Sequence, residues 1–297
     1  MRTPCITRRD FLAGSAALAS AAAYSPAAAY AAGKRSATDI VVLGKTGLKL
    51  SRLGIGLGSN SGNVQRGLGQ ESFNTLIRAA FDRGIRYFDC AQSYKTFEWI
   101  ADAIKGLPRD EIFLLSKIGG NPEKPAEVID KQLQILRTDY VDCLLVHCAV
   151  TSTWTTERSR LMEALDDAKA KGKIRSKGVS CHSLPALRVA AQSDWVDVNL
   201  VRVNPQARHT DSETPKWDAP GTVIEPVLEQ MAIMKQNNHG IIGMKLIGDG
   251  DFTRPEDREK SIRFAMSRRE IDAVTIGFKS TDEIDEAVRR MNSALAG

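Results

Sequence analysis

The sequence predicts an α/β chain folded as a (β/α)8 TIM barrel with an N-terminal β-hairpin plug. Three observations carry this reading. Eight short apolar, often β-branched runs follow residue 40, and amphipathic stretches separate many of them. Such alternation builds βαβ units on a parallel sheet. The runs are nearly continuous rather than alternating, as in strands covered on both faces. Eight units in roughly 265 residues also match the typical barrel length of about 250 residues.

Before the barrel, Thr7-Arg8-Arg9-Asp10-Phe11-Leu12 precedes a short Ala/Ser/Leu run, then Ser25-Pro26 and small residues. A basic start, a short apolar region and a small-residue site define a secretory signal. The paired arginines with Phe-Leu after them resemble a twin-arginine signal peptide. The expected cleavage lies near Ala31, the expected location is periplasmic or otherwise exported, and the expected partner is the twin-arginine export machinery. The apolar run is too short for a stable membrane anchor. Removing residues 1–31 takes away three basic residues and one acidic one, lowering the net charge from +5 to +3. No dense Lys/Arg cluster marks a nucleic-acid surface.

Residues 32–39 read as a linker and 40–297 as one domain, because no composition break divides them. Ile40–Leu43 and Leu48–Leu50 flank Gly44-Lys-Thr-Gly47, a hairpin pattern. The eight runs are Leu53–Leu57, Ile85–Phe88, Ile112–Leu115, Val141–Val146, Ile174 with Gly178–Ser180, Val196–Val203, Ile241–Leu246 and Ala273–Ile276. Helical periodicity appears over Glu71–Arg83, Pro125–Leu136, Arg158–Lys171, Glu225–Asn237 and Glu283–Ala294. A doubly wound sheet is the alternative. Gly54-x-Gly56-x-Gly58 would suit its dinucleotide turn, but the polar stretch Ser59–Gly69 follows instead of a helix. A monomer is the favoured oligomeric state, with others left open.

Cys90, Cys143, Cys148 and Cys181 are widely spaced and mostly inside apolar runs. They read as four buried thiols. They lack the close pairs of a zinc or iron–sulfur site. His147, His182, His209 and Asp89 form no compact ligand motif either, so no metal is expected.

Barrels of this type place their chemistry at the carboxyl ends of the strands. Asp89 and Tyr94 follow the second run, Lys117 follows the third, and His147 closes the fourth. A lysine straight after a buried strand is uncommon, because an unpaired charge is costly inside. A phenol can protonate a carbonyl oxygen, a lysine beside it lowers its pKa from about 10, and a carboxylate holds the lysine charged. His147 can fix the substrate oxygen by hydrogen bonding.

With those residues in view, the sequence resembles the aldo/keto reductase family. The resemblance runs from the segment Leu43–Gly58 through Asp89-x-Ala91-x-x-Tyr94, Leu115-Ser-Lys117, Leu144-Leu-Val-His147 and Gly172–Ser180 to the last helix. It implies a nicotinamide-dependent carbonyl reductase with Asp89, Tyr94, Lys117 and His147 as catalytic tetrad. It further implies cofactor contacts from Gly56, Ser180 and Cys181, from Met244, Lys245, Leu246 and Gly248, and from Gly277, Lys279, Ser280, Glu283 and Glu286. NADP(H) is favoured over NAD(H), because Lys279 and Ser280 would suit a 2′-phosphate. Ser280-Thr-Asp-Glu283 reads equally as a helix cap.

Departures from the family pattern are Cys181 and Ala287 in place of Asn, Leu200 in place of Gln, and no evident arginine for the 2′-phosphate. The expected partner is a small-molecule carbonyl substrate, with Asn60, Phe97, Trp154 and Trp217 as candidate pocket walls. Trp154 reads equally as a surface-loop clamp. The competing reading is a non-catalytic nicotinamide-nucleotide-binding regulatory subunit on the same barrel.

Overall fold

The computed structural model describes residues 35–297. The expected export signal, with Cys5, Arg8 and Arg9, lies outside them. β1 (Ile40–Val42) and β2 (Lys49–Ser51) pair antiparallel around a 3-10 turn at Gly44–Thr46. β3 (Leu53–Gly56), β4 (Tyr87–Asp89), β5 (Phe113–Gly119), β6 (Val141–Ala149), β7 (Ile174–Cys181), β8 (Val198–Arg202), β9 (Gly240–Met244) and β10 (Ala273–Ile276) follow. These eight close into one parallel barrel in chain order, with β10 pairing back onto β3.

The helices are α1 (Asn63–Arg66), α2 (Gln70–Asp82), α3 (Phe97–Ala103), α4 (Pro125–Leu136), α5 (Trp154–Glu157), α6 (Ser159–Ala170), α7 (Leu184–Gln192), α8 (Glu225–Gln236), α9 (Pro255–Ser267) and α10 (Thr281–Ala296). Their starts follow local rules. Pro125 and Pro255 sit in first turns, where the missing N–H costs nothing. Ser183 and Ser280 cap α7 and α10, accepting from the backbone N–H of Ala186 and Glu283. No helix among the described residues is long and apolar enough to cross a membrane.

Two apolar layers result from side-chain alternation along the strands. Outward residues such as Phe88, Leu114, Val146 and Cys181 pack between sheet and helices. Inward residues Tyr87, Phe113, Leu115, Cys143, Leu145, Leu200 and Ile242 fill the barrel. The hairpin closes this interior from the amino-terminal end of the strands. Leu43 and Leu50 join the inward layer, while Gly44 N–H bonds Asp272 and Lys45 N–H bonds the Asn238 carbonyl. Each leucine is fully buried, worth about 2–3 kcal/mol.

The Gly54-x-Gly56-x-Gly58 row has a packing role. A Cβ on Gly54 would lie 2.0 Å from the Tyr87 ring, and one on Gly58 2.3 Å from the Tyr94 ring. The missing side chains make room for the Tyr87 ring in the barrel interior and for the Tyr94 ring at its mouth.

Candidate active site

Asp89 ends β4, and the 3-10 turn Gln92–Tyr94 brings the Tyr94 phenol back over it. Lys117 does not follow its strand, as the sequence suggested. β5 continues through Gly119, so Lys117 is an inward strand residue with no exposure. An ion partner makes that burial tolerable. His147 likewise lies within β6, which extends to Ala149.

All three Lys117 N–H groups find acceptors: an Asp89 carboxylate oxygen, the Cys90 carbonyl at 2.8 Å and the Tyr94 phenol oxygen at 3.3 Å. Because the phenol oxygen accepts from the ammonium, its own proton is free to point elsewhere. Asp89 and Tyr94 both line the main cavity. The Tyr87 phenol donates to the second Asp89 oxygen at 3.0 Å. His147 packs edge-on to Tyr94, with centroids 5.7 Å apart.

Burial dominates the titration of this group. Burial alone would lower the Lys117 pKa, but Asp89 and then Tyr94 outweigh it, and the ammonium is stabilised. The expected lowering of the Tyr94 pKa is not the net result. Burial pushes the phenol up to about 12 even though Lys117 pulls the other way. Burial, then the Lys117 charge, drives His147 down to about 3, so its imidazole is neutral near pH 7.

From Asp89 and Tyr94 a cavity of about 670 Å³ runs to the start of α10. Gly56, Met244, Lys245, Leu246, Gly277, Lys279, Glu283 and Glu286 line it, and so does Leu200. Four expected cofactor residues stand apart from its wall. Cys181 is an outward residue of β7, packed in the sheet–helix layer. Strand alternation turns Ser180 and His182 inward instead. Ser180 is fully buried and takes no part in the cavity wall. Gly248 serves the backbone turn, with φ +53 and the Phe252 ring against it. Ser280 Oγ is engaged as the α10 cap, while Glu283 accepts from Lys279 N–H at 2.7 Å.

The structure adds residues that the sequence did not flag. Arg258 and Arg290 reach the cavity wall beside Lys279, both bonded to Glu286 at 2.9 and 2.8 Å. They lie on α9 and α10, where only an i,i+4 spacing to Glu286 hinted at Arg290. Thr275 Oγ1 is a buried, unpartnered hydroxyl facing the cavity.

The candidate walls divide. Trp154 is fully buried in the core against Trp195, neither a pocket wall nor a surface clamp. Phe97 also belongs to the core. Asn60 lies in the exposed turn after β3. Trp217 is 63% exposed and stacks on His182 near the site, with centroids 6.5 Å apart. His209 is held elsewhere by Asp218 and Asp251. The four described cysteines are free; Cys90, Cys143 and Cys181 are buried and Cys148 is half-buried.

A model of the aldo/keto reductase family matches residues 52–296. The chain belongs to the aldo/keto reductase family. Aldo-keto reductase YhdN of Bacillus subtilis is 32% identical over 154 residues, covering 47% of this chain and 46% of that one. Methylglyoxal reductase DkgB of Salmonella typhi is 29% identical over 137 residues, covering 43% and 51%. These alignments thus span about half the length of both curated relatives. Among solved structures, the holo form of aldo-keto reductase AKR11C1 from Bacillus halodurans superposes with a TM-score of 0.69 at 17% identity, covering 86% of this chain and 95% of that one. That likeness supports the aldo/keto reductase barrel as fold.

Proposed function

We propose that this aldo/keto reductase reduces an aldehyde or ketone to an alcohol with a nicotinamide cofactor, NADP(H) in preference to NAD(H), with Tyr94 as general acid, and that it acts after export. The observation that carries the reading is the Lys117 ammonium, whose three donors end on Asp89, the Cys90 carbonyl and the Tyr94 oxygen. The cavity supports a nicotinamide nucleotide. It begins at Tyr94, carries the unpartnered Thr275 hydroxyl and ends at Lys279, Arg258 and Arg290. A reduced nicotinamide bound there supplies hydride to the carbonyl carbon.

The protein supplies the rest. Tyr94 is fully protonated near pH 7, because burial holds its pKa near 12. As negative charge builds on the substrate oxygen, Tyr94 Oη gives up its proton. The adjacent Lys117 charge then stabilises the phenolate left behind. Asp89 keeps Lys117 charged, and neutral His147 offers an N–H to orient the oxygen. Lys279, Arg258 and Arg290 favour a phosphate at the far end, although Glu286 shares both arginines.

The test is the loss of reduced-cofactor absorbance with a panel of small aldehydes and ketones, for wild type and Tyr94→Phe. Carbonyl-dependent oxidation that falls about 100-fold or more in the variant supports the reading. Turnover of no carbonyl by the wild type, or an equally active variant, overturns it.

A further inference from the structure

We propose that His147, Cys148 and His182 form a binding site for a borderline-soft metal ion, Zn²⁺ in the first instance. One ligand atom from each of the three residues lies within 4.8 Å of the other two. Cys148 Sγ and His182 Nε2 are 3.7 Å apart. A tetrahedral zinc with bonds of about 2.1 Å to nitrogen and 2.3 Å to sulfur spaces its N and S ligands by about 3.6 Å. Small side-chain rotations therefore close the set.

The backbone explains how three ligands converge that the sequence separates. Adjacent strand residues normally point to opposite faces. Between His147 and Ala149 the β6–β7 register slips, and Cys148 takes a left-handed φ of +57°. That bulge brings Cys148 Sγ beside the inward His147. The parallel partner β7 then delivers His182 just past its end. Bulges re-aim side chains in this way beside functional sites.

The surroundings suit a metal better than any internal partner. His182 is nine-tenths buried, yet neither ring nitrogen has an ordinary hydrogen bond. Nδ1 has no partner, and Nε2 meets only Ser180 Oγ at 3.5 Å and the Cys148 sulfur. Trp217 stacks over the ring. Two imidazoles and a cysteine sulfur, whose proton leaves to solvent as the metal binds although burial raises its pKa, are a donor set for Zn²⁺ or Cu⁺ rather than Mg²⁺ or Ca²⁺. The neighbouring cations do not defeat it, because each has its own carboxylate: Lys117 with Asp89, Arg202 with Asp211, Lys245 with Asp249. Three protein ligands leave the fourth position to water. The site shares His147 with the proposed reductase site, so a zinc ion on that imidazole would compete with the substrate oxygen.

The experiment uses the full chain, purified without a polyhistidine tag and stripped with a chelator. Co²⁺ is titrated first, then Zn²⁺ in competition with a chromophoric chelator. The expected result is one ion per chain, a near-ultraviolet thiolate-to-cobalt band that Cys148→Ser removes, and zinc affinity at least about tenfold weaker in His182→Gln. Circular dichroism checks that both variants fold. A readout on unaltered protein is alkylation of Cys148 by iodoacetamide, which Zn²⁺ should block. A wild type without the thiolate band, variants that bind zinc within about threefold of wild type, or alkylation indifferent to zinc would each overturn the proposal.

Discussion

The phenol of Tyr87 donates a 3.0 Å hydrogen bond to Oδ2 of Asp89, the carboxylate oxygen that Lys117 leaves free. Asp89 is therefore held from two sides, by an ammonium above and by a fully buried ring of the barrel interior below. Tyr87→Phe keeps the ring and removes only the hydroxyl. A hydrogen bond to a charged group is worth about 1.5–3 kcal/mol. Carbonyl reduction should fall about 10- to 150-fold if that whole energy is felt in the transition state, and the pH–rate profile should move with it. An unchanged profile would reduce Tyr87 to a packing residue.

Lys117→Met tests the ammonium itself. It leaves Asp89 buried without its cation, which costs about 3–5 kcal/mol. Activity should vanish, and urea-induced unfolding should shift to distinctly lower denaturant. Near-wild-type stability would mean that Asp89 takes up a proton or finds water.

Acidification should loosen the fold through two histidines. Burial lowers the pKa of His147 to about 3, and that of His182 well below its ordinary value, while the unfolded chain titrates near 6.5. Between these values the unfolded state binds more protons, so stability is complete above about pH 6.5 and is lost as pH falls. At pH 5.5 His147 should cost about 1.4 kcal/mol, and His182 acts in the same sense. Asp211 works in the opposite sense. Burial raises its pKa to about 6 against the pull of Arg202, so protonation on acidification offsets part of the loss. Urea titrations at pH 7.5 and about 5.5 on wild type and His182→Gln measure the balance. A variant as acid-sensitive as wild type would exclude His182 as a source.

Lys279→Met should weaken NADPH binding by about 5- to 150-fold, the scale of one charge-assisted phosphate contact. NADH binding should barely change, and the difference should shrink in high salt. A fluorescence titration with both cofactors at two salt concentrations reads it. Equal losses would leave Lys279 with no part in phosphate selection.

Arg8→Lys combined with Arg9→Lys should hold the precursor in the cytoplasm if the paired arginines direct export. Cell fractionation follows the processed form. Full processing of the double variant would point to the general secretory route.

Much of the barrel was legible because its signals are periodic. The continuous run at Val141–Val146 and the helical spacing of Pro125–Leu136 need no tertiary information. The grouping of Asp89, Tyr94, Lys117 and His147 was legible because strand ends in a barrel converge. What escaped depended on partners in space. Lys117 looked like a loop residue, because nothing in a single sequence shows that Asp89 is there to neutralise it inside a strand. Cys181 was assigned by analogy of position, whereas strand alternation sends it outward and brings His182 inward. Trp154 sits in a polar stretch, yet the turn that α5 makes folds it under Trp195. Arg258 lies one helix away from Glu286, and that pairing has no sequence period at all.

The hairpin stopper makes the barrel a blind well rather than a pipe. With Leu43 and Leu50 sealing the floor, Lys117 and Tyr94 can trade hydrogens with the outside only through the rim. A molecule seated over Tyr94 would therefore stand between the phenol and its only route to bulk water.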